Sequence, residues 1–147
     1  MPTLHLDDLA VGDRLRIGEW RIEADDCAAF AERWEPQPHH LSEEAGAASP
    51  FGRMTVGSLY LFAICTRLFF DFERPFAVLA MLGKNALTLP NPAYPGDTLV
   101  YETECVQHRP SRSKPDRGLL RMKDTIENQR GEPVLEMVSK LLVRRRA

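Results

Sequence analysis

Gly57-Ser58-Leu59-Tyr60-Leu61-Phe62-Ala63-Ile64-Cys65-Thr66-Arg67-Leu68-Phe69-Phe70 is the stretch whose reading decides the fold. At 3.6 residues per turn it is apolar on nearly every face, so a helix built from it must be surrounded by other structure. It is too long for one strand and contains no turn residue after Ser58. The run from Leu59 to Phe72 is interrupted by Arg67 and Asp71, and is too short and too charged to cross a bilayer. A buried helix of this kind needs a cover.

The rest of the chain supplies one. Asp13 to Ile22 alternates loosely and reads as a strand. After Pro95-Gly96-Asp97, Leu99, Tyr101, Thr103 and Cys105 alternate with Val100, Glu102, Glu104 and Val106. Leu120, Met122, Asp124 and Ile126 repeat the pattern, Asn128-Gln129-Arg130-Gly131 reads as a turn, and Val134 to Val143 reads as a third long strand. Asp25 is placed to cap a helix running to Trp34, which Pro36 and Pro38 stop. Ser42 is placed to cap a short helix reaching Ala48. A long antiparallel sheet wrapped around one all-round apolar helix is the hot-dog fold, of the α+β class.

The global properties narrow the function classes. With 147 residues, 44 % apolar and 27 % charged, the chain reads as one globular domain over residues 1–147. Its formal net charge of −2 gives no steering toward nucleic acid. No basic region followed by an apolar stretch opens the chain, so neither a secretory leader nor a membrane anchor is expected. Cys27, Cys65 and Cys105 are widely spaced and odd in number, which fits reduced thiols and a cytoplasmic location. His39, His40 and His108 have no metal-ligand spacing with these cysteines, so no metal is expected.

The chemistry-bearing segment is Phe30-Ala31-Glu32-Arg33-Trp34-Glu35-Pro36-Gln37-Pro38-His39-His40-Leu41. It resembles the hydratase motif of the MaoC-like acyl dehydratases, which is an aspartate, two residues, a proline, an apolar residue and a histidine. Glu35, Pro38, His39 and His40 fall on those places, with Glu35 in place of the aspartate and His39 at the apolar position. Further blocks resemble the family in the same order: Glu43-Glu44-Ala45, Ser49-Pro50-Phe51-Gly52, Tyr94 to Leu99, Ser111 to Gly118, and Asn128 to Glu132. The resemblance extends from about Leu6 to Arg146.

The resemblance implies hydration of a trans-2-enoyl-CoA, or dehydration of a 3-hydroxyacyl-CoA, with Glu35 and His40 holding one water. The CoA thioester enters as substrate, and no cofactor is implied. A carboxylate and an imidazole on a loop stiffened by two prolines suit the required proton transfers. The family uses a backbone N–H at the start of the buried helix to hold the thioester oxygen, and a helix N-terminus suits a developing enolate. This chain reads Val56-Gly57-Ser58, where relatives read His-Gly or Ser-Gly. Gap-free comparison puts Ser58 on the family glycine, and a one-residue shift puts Gly57 there. Gly57 and Ser58 also read as a tight turn and a helix cap. Arg109, Arg112, Lys114 and Arg117 form a basic cluster suited to the phosphates of CoA, or a solvated hairpin tip. The unpaired edges of a lone hot-dog sheet, and an acyl tunnel near a subunit interface in the family, imply a homodimer or higher homo-oligomer. A hot-dog thioesterase and a non-catalytic acyl-CoA-binding subunit are the competing readings, since fold does not fix function.

Overall fold

The computed structural model describes residues 2–147. Strand β1 (Arg14–Arg21) leads into helix α1 (Ala24–Trp34), a 3₁₀ turn (Pro38–His40) and the short helix α2 (Glu43–Ala47). Helix α3 (Ser58–Asp71) follows, then strands β2 (Val78–Thr88), β3 (Thr98–Pro110), β4 (Arg117–Glu127) and β5 (Pro133–Arg144). The strands form one sheet in the order β1-β3-β4-β5-β2, with every neighbouring pair antiparallel. The sheet packs around α3, which is the hot-dog arrangement expected from the sequence.

The inward positions are those of the alternating pattern. Leu99, Tyr101, Thr103 and Cys105 are buried on β3, as are Leu120, Met122, Asp124 and Ile126 on β4. From α3 they meet Leu61, Ile64 and Leu68, each 6 % exposed or less. Burying each of these side chains contributes about 1.5–3 kcal/mol. The β4–β5 turn is held by Asn128, whose Oδ1 accepts from the N–H groups of Arg130 (2.9 Å) and Glu132 (3.1 Å). Gly131 adopts φ 74°, a conformation that favours glycine. Cys27, Cys65 and Cys105 are free and buried.

Two expectations need correction, and one strand was not read from the sequence. Glu23, not Asp25, is the N-cap of α1; Asp25 lies in the first turn, where its charge faces the positive helix end. Ser42 does cap α2, accepting from the N–H of Ala45 at 3.1 Å. Strand β2 shows no alternation in sequence because its pairing with β5 slips three times, between Val78 and Ala80, Met81 and Gly83, and Asn85 and Thr88. Each slip resets which face a side chain takes. Finally, α3 is not enclosed on all sides. Leu59 and Phe70 are 43 % and 73 % exposed, and Met81, Leu82 and Leu87 on the edge strand β2 are also exposed.

Candidate active site

Helix α1 ends where Pro36 and Pro38 forbid its continuation. Glu35 is its C-cap residue and leaves the helix at φ −152°, ψ 68°. Two tight hydrogen bonds then fold the segment back: the Gln37 N–H donates to the Glu35 carbonyl (2.8 Å) and the His40 N–H to the Gln37 carbonyl (2.9 Å). Pro38 opens the 3₁₀ turn, where its missing N–H costs nothing. The turn carries His40 inward, to 7 % exposure, and leaves His39 half-buried.

His40 is held by a residue that the sequence did not single out. Its Nδ1 lies 2.9 Å from the Thr55 carbonyl oxygen and 3.1 Å from Thr55 Oγ1. A carbonyl oxygen only accepts, so Nδ1 carries the proton and Nε2 is the basic nitrogen of the neutral ring. The Thr55 N–H in turn donates to the His39 carbonyl at 2.9 Å, which locks the two segments together. No motif marks Thr55; only the packing of Met54–Val56 beside the proline turn brings it to the ring.

The carboxylate of Glu35 reaches the N-terminus of α3. Ser58 Oγ donates to Oε1 and the Leu59 N–H to Oε2, both at 3.3 Å. Glu35 thus takes the place of a capping group for a helix whose own N-cap, Gly57, has no side chain to offer. The extra methylene of glutamate over aspartate supplies that reach. Gly57 lies against both candidate groups: a Cβ built there would overlap Glu35 Oε2, approach its Cδ to 3.0 Å and reach 3.5 Å from Cδ2 of His40. Its φ of −70° is ordinary, so the need for glycine here is proximity, not backbone conformation.

Glu35, His40 and Ser58 therefore share one cleft, of 320 Å³, with Leu61, Pro92 and Val134 on its apolar side. His39 lines the outer part, its ring 4.3 Å from that of His40 and 5.4 Å from that of Phe51. The cleft joins a basic nitrogen, a carboxylate and a helix N-terminus in one place.

The basic cluster is elsewhere. Arg109 and Arg112 share a depression at the tip of the β3–β4 hairpin with Ser111. Arg117 is turned to Asp116, with Nε 2.9 Å from Oδ1, and the guanidinium holds that carboxyl below its ordinary range. Lys114 contributes its N–H to Ser111 Oγ at 3.2 Å. Arg117 pairs with Arg144 at the end of β5, whereas the cleft lies near Val134 at its start. At about 3.3 Å per residue the two features stand roughly 33 Å apart along the strand. Within one protomer the cluster and the cleft are not brought together.

Comparison with known proteins identifies the family and the fold. Residues 10–125 match the family described as the MaoC like domain. The fold superposes on the crystal structure of a MaoC-like dehydratase from Rhodospirillum rubrum with a TM-score of 0.91, at 40 % identity, covering 98 % of this chain and 99 % of that one. An (R)-hydratase from Pseudomonas aeruginosa shares the fold with a TM-score of 0.79 at 22 % identity, covering 98 % of this chain and 88 % of that one. An uncharacterized Bacillus subtilis protein, YdeM, is 26 % identical over 145 residues, which is 97 % of this chain and all of that protein. With the family matched over most of its length and a close relative aligned from end to end, the chain belongs to the MaoC-like dehydratase family.

Proposed function

We propose that the protein hydrates a trans-2-enoyl-CoA, or dehydrates the corresponding 3-hydroxyacyl-CoA, in the Glu35–His40 cleft. The observation that carries this reading is the fixed tautomer of His40, whose basic Nε2 is the nitrogen not spent on Thr55. In the hydration direction a water held by Nε2 and Glu35 loses a proton as its oxygen bonds to C3. The C2–C3 π electrons move toward the thioester, and its oxygen becomes an enolate. The proton returns to C2 through the same pair as the enolate collapses. The N-terminus of α3 stabilises the negative oxygen. Since the Leu59 N–H already donates to Glu35, that task falls to the N–H of Gly57 or Ser58.

The phosphates of CoA are assigned to Arg109 and Arg112 of a second copy. The exposed apolar residues of β2 and α3 favour pairing through the β2 edge. A two-fold axis perpendicular to the sheet reverses the strand direction, so it carries the partner's β3–β4 hairpin to the end at which this cleft opens.

The test is incubation of wild type, Glu35→Gln and His40→Ala with crotonyl-CoA, following both loss of the enoyl absorbance and release of free thiol. Loss of enoyl absorbance without thiol, reduced at least a hundredfold in each variant, is the expected result. Thiol release identifies a thioesterase, and saturable binding with neither change identifies a non-catalytic subunit.

A further inference from the structure

Helix α1 is tied to the first turn of α3 at two places, and one of them lies outside the cleft. At the C-terminal end of α1, Glu35 accepts from Ser58 Oγ and the Leu59 N–H. Near the N-terminal end, Asp26 accepts at Oδ2 from Tyr60 Oη, at 2.5 Å. Tyr60 is the residue after Leu59, so one turn of α3 holds both ends of α1. Tyr60 is 4 % exposed, and its ring lies 5.5 Å from that of Phe30, edge to face, one turn of α1 beyond Asp26. From β1, Trp20 Nε1 donates to the same Oη at 3.4 Å. The phenol thus stands where β1, α1 and α3 meet.

Packing alone does not call for that hydroxyl. Phenylalanine would fill the same space and keep the edge contact with Phe30, with no polar atom to bring out of water. What the hydroxyl adds is a direction, since a phenol donates one hydrogen bond and here it goes to one carboxylate. Burial and the hydrogen bond to Asp26 hold the phenol above its ordinary range, so Oη remains the donor. Glu35 stands nine positions after Asp26, roughly 13 Å along the helix. A tilt of α1 by about 5° about Tyr60 therefore moves Glu35 by about 1 Å. The bonds from α3 to Glu35 are both 3.3 Å, too long to resist a shift of that size. His40 has its own anchor at Thr55, so the same tilt changes the separation of the two groups.

We infer that Tyr60 and Asp26 are positioning residues of the Glu35–His40 site. Their hydrogen bond sets the tilt of α1 and so the place of the Glu35 carboxylate. The kinetic consequence rests on the hydratase reading; the structural one rests on the geometry alone.

Tyr60→Phe, Asp26→Ala and Asp26→Asn test this with two readouts. The Leu59 amide resonance reports the seat of Glu35 without any turnover. In Tyr60→Phe and Asp26→Ala it is expected to move toward its position in Glu35→Ala, by about half of that displacement or more, while the amide of Leu120 on β4 stays in place. In both variants kcat for crotonyl-CoA hydration should fall about tenfold at unchanged KM. Asp26→Asn keeps an acceptor oxygen and should recover most of both effects. Added to Glu35→Gln, Tyr60→Phe should cause no further loss, because the group it positions is already gone. Movement of Leu59 in a protein that does not hydrate crotonyl-CoA would overturn the hydratase reading and leave the clamp in place. A Leu59 amide unmoved in both variants, or moved no further than that of Leu120, would overturn the inference, as would an undiminished tenfold loss on the Glu35→Gln background.

Discussion

Replacing Gly57 with alanine is the sharpest probe of the candidate active site. The backbone at Gly57, φ −70° and ψ 151°, accepts alanine without strain. The effect must therefore come from the added methyl alone. That methyl overlaps Oε2 of Glu35, so the carboxylate has to retreat by about 1 Å to regain ordinary van der Waals separation. The bonds from Ser58 Oγ and the Leu59 N–H are already 3.3 Å, so the same retreat takes both beyond hydrogen-bonding range. The stability consequence is small, because a lost cap costs about 1 kcal/mol while Gly→Ala at a compatible position returns about 0.4–1 kcal/mol. A displacement of about 1 Å in a catalytic group is, by contrast, worth about a hundredfold in rate. Gly57→Ala is thus expected to keep its Tm within a few degrees and to lose about two orders of magnitude in kcat for crotonyl-CoA hydration. Glu35→Asp alone should also lose activity, because the shorter arm no longer reaches the α3 N-terminus. In the double variant the shorter arm clears the methyl, so the two losses should be less than additive. Full activity in Gly57→Ala, or strictly additive losses in the double variant, would refute the idea that Glu35 acts from its seat beside Gly57.

Arg112→Ala should raise KM for an enoyl-CoA about tenfold with kcat nearly unchanged, since a phosphate contact persists from ground state to transition state; an unchanged KM would mark the hairpin tip as merely solvated. Sedimentation should show a dimer or larger species at micromolar concentration. Leu82→Glu, on the exposed face of β2, should shift it toward monomer with little change in secondary structure. The pH dependence of stability should have two limbs. Asp124 has a raised carboxyl pKa in the fold, so the folded chain binds its proton more tightly and its destabilisation is relieved as pH falls through its folded value toward the ordinary carboxyl range. Asp7, Asp8 and Glu132 are held low by Arg145, Arg146 and Arg130 together with nearby backbone and Asn128 donors, so their stabilisation is lost at more acidic pH, as they protonate through their depressed folded values. Thermal melts of wild type and Asp124→Asn across pH 3–7 should therefore converge on the acid side; a constant difference would mean that Asp124 does not titrate in this range.

Much of the candidate site was legible as residues, and much less of it as geometry. Glu35, Pro38 and His40 stand out because they fall on the places of the MaoC-like motif, and a proline-bounded loop carrying a carboxylate and an imidazole suits the proton transfers that the resemblance implies. Thr55 carries no such mark, since a threonine acquires this role only by lying next to the ring. The glutamate at position 35 reads in sequence as a departure of one methylene. The structure uses that methylene to span from the end of α1 to the start of α3. Gly57 and Ser58 were visible as a pair, but their division of labour was not. It rests on contacts between distant segments: Gly57 lies against Glu35 and His40, and Ser58 Oγ donates to Glu35. The basic cluster was seen as four like residues close in sequence, yet Arg117 is turned to Asp116 and the cluster stands at the far end of the sheet from the cleft.

By itself the sequence determined the elements whose burial repeats with a fixed period: the apolar helix α3, and the alternating strands β3, β4 and β5. Such periods are local, because one buried face imposes them residue by residue. Strand β2 escaped for the same reason, since its three register slips erase the period that a sequence reading depends on. Only the tertiary structure decided that Thr55 fixes the tautomer of His40, that Glu35 caps α3, and that Tyr60 ties α3 to Asp26 of α1. Each of these joins segments distant in the chain, and where such segments meet is set by how the sheet closes on the helix, which no local pattern encodes.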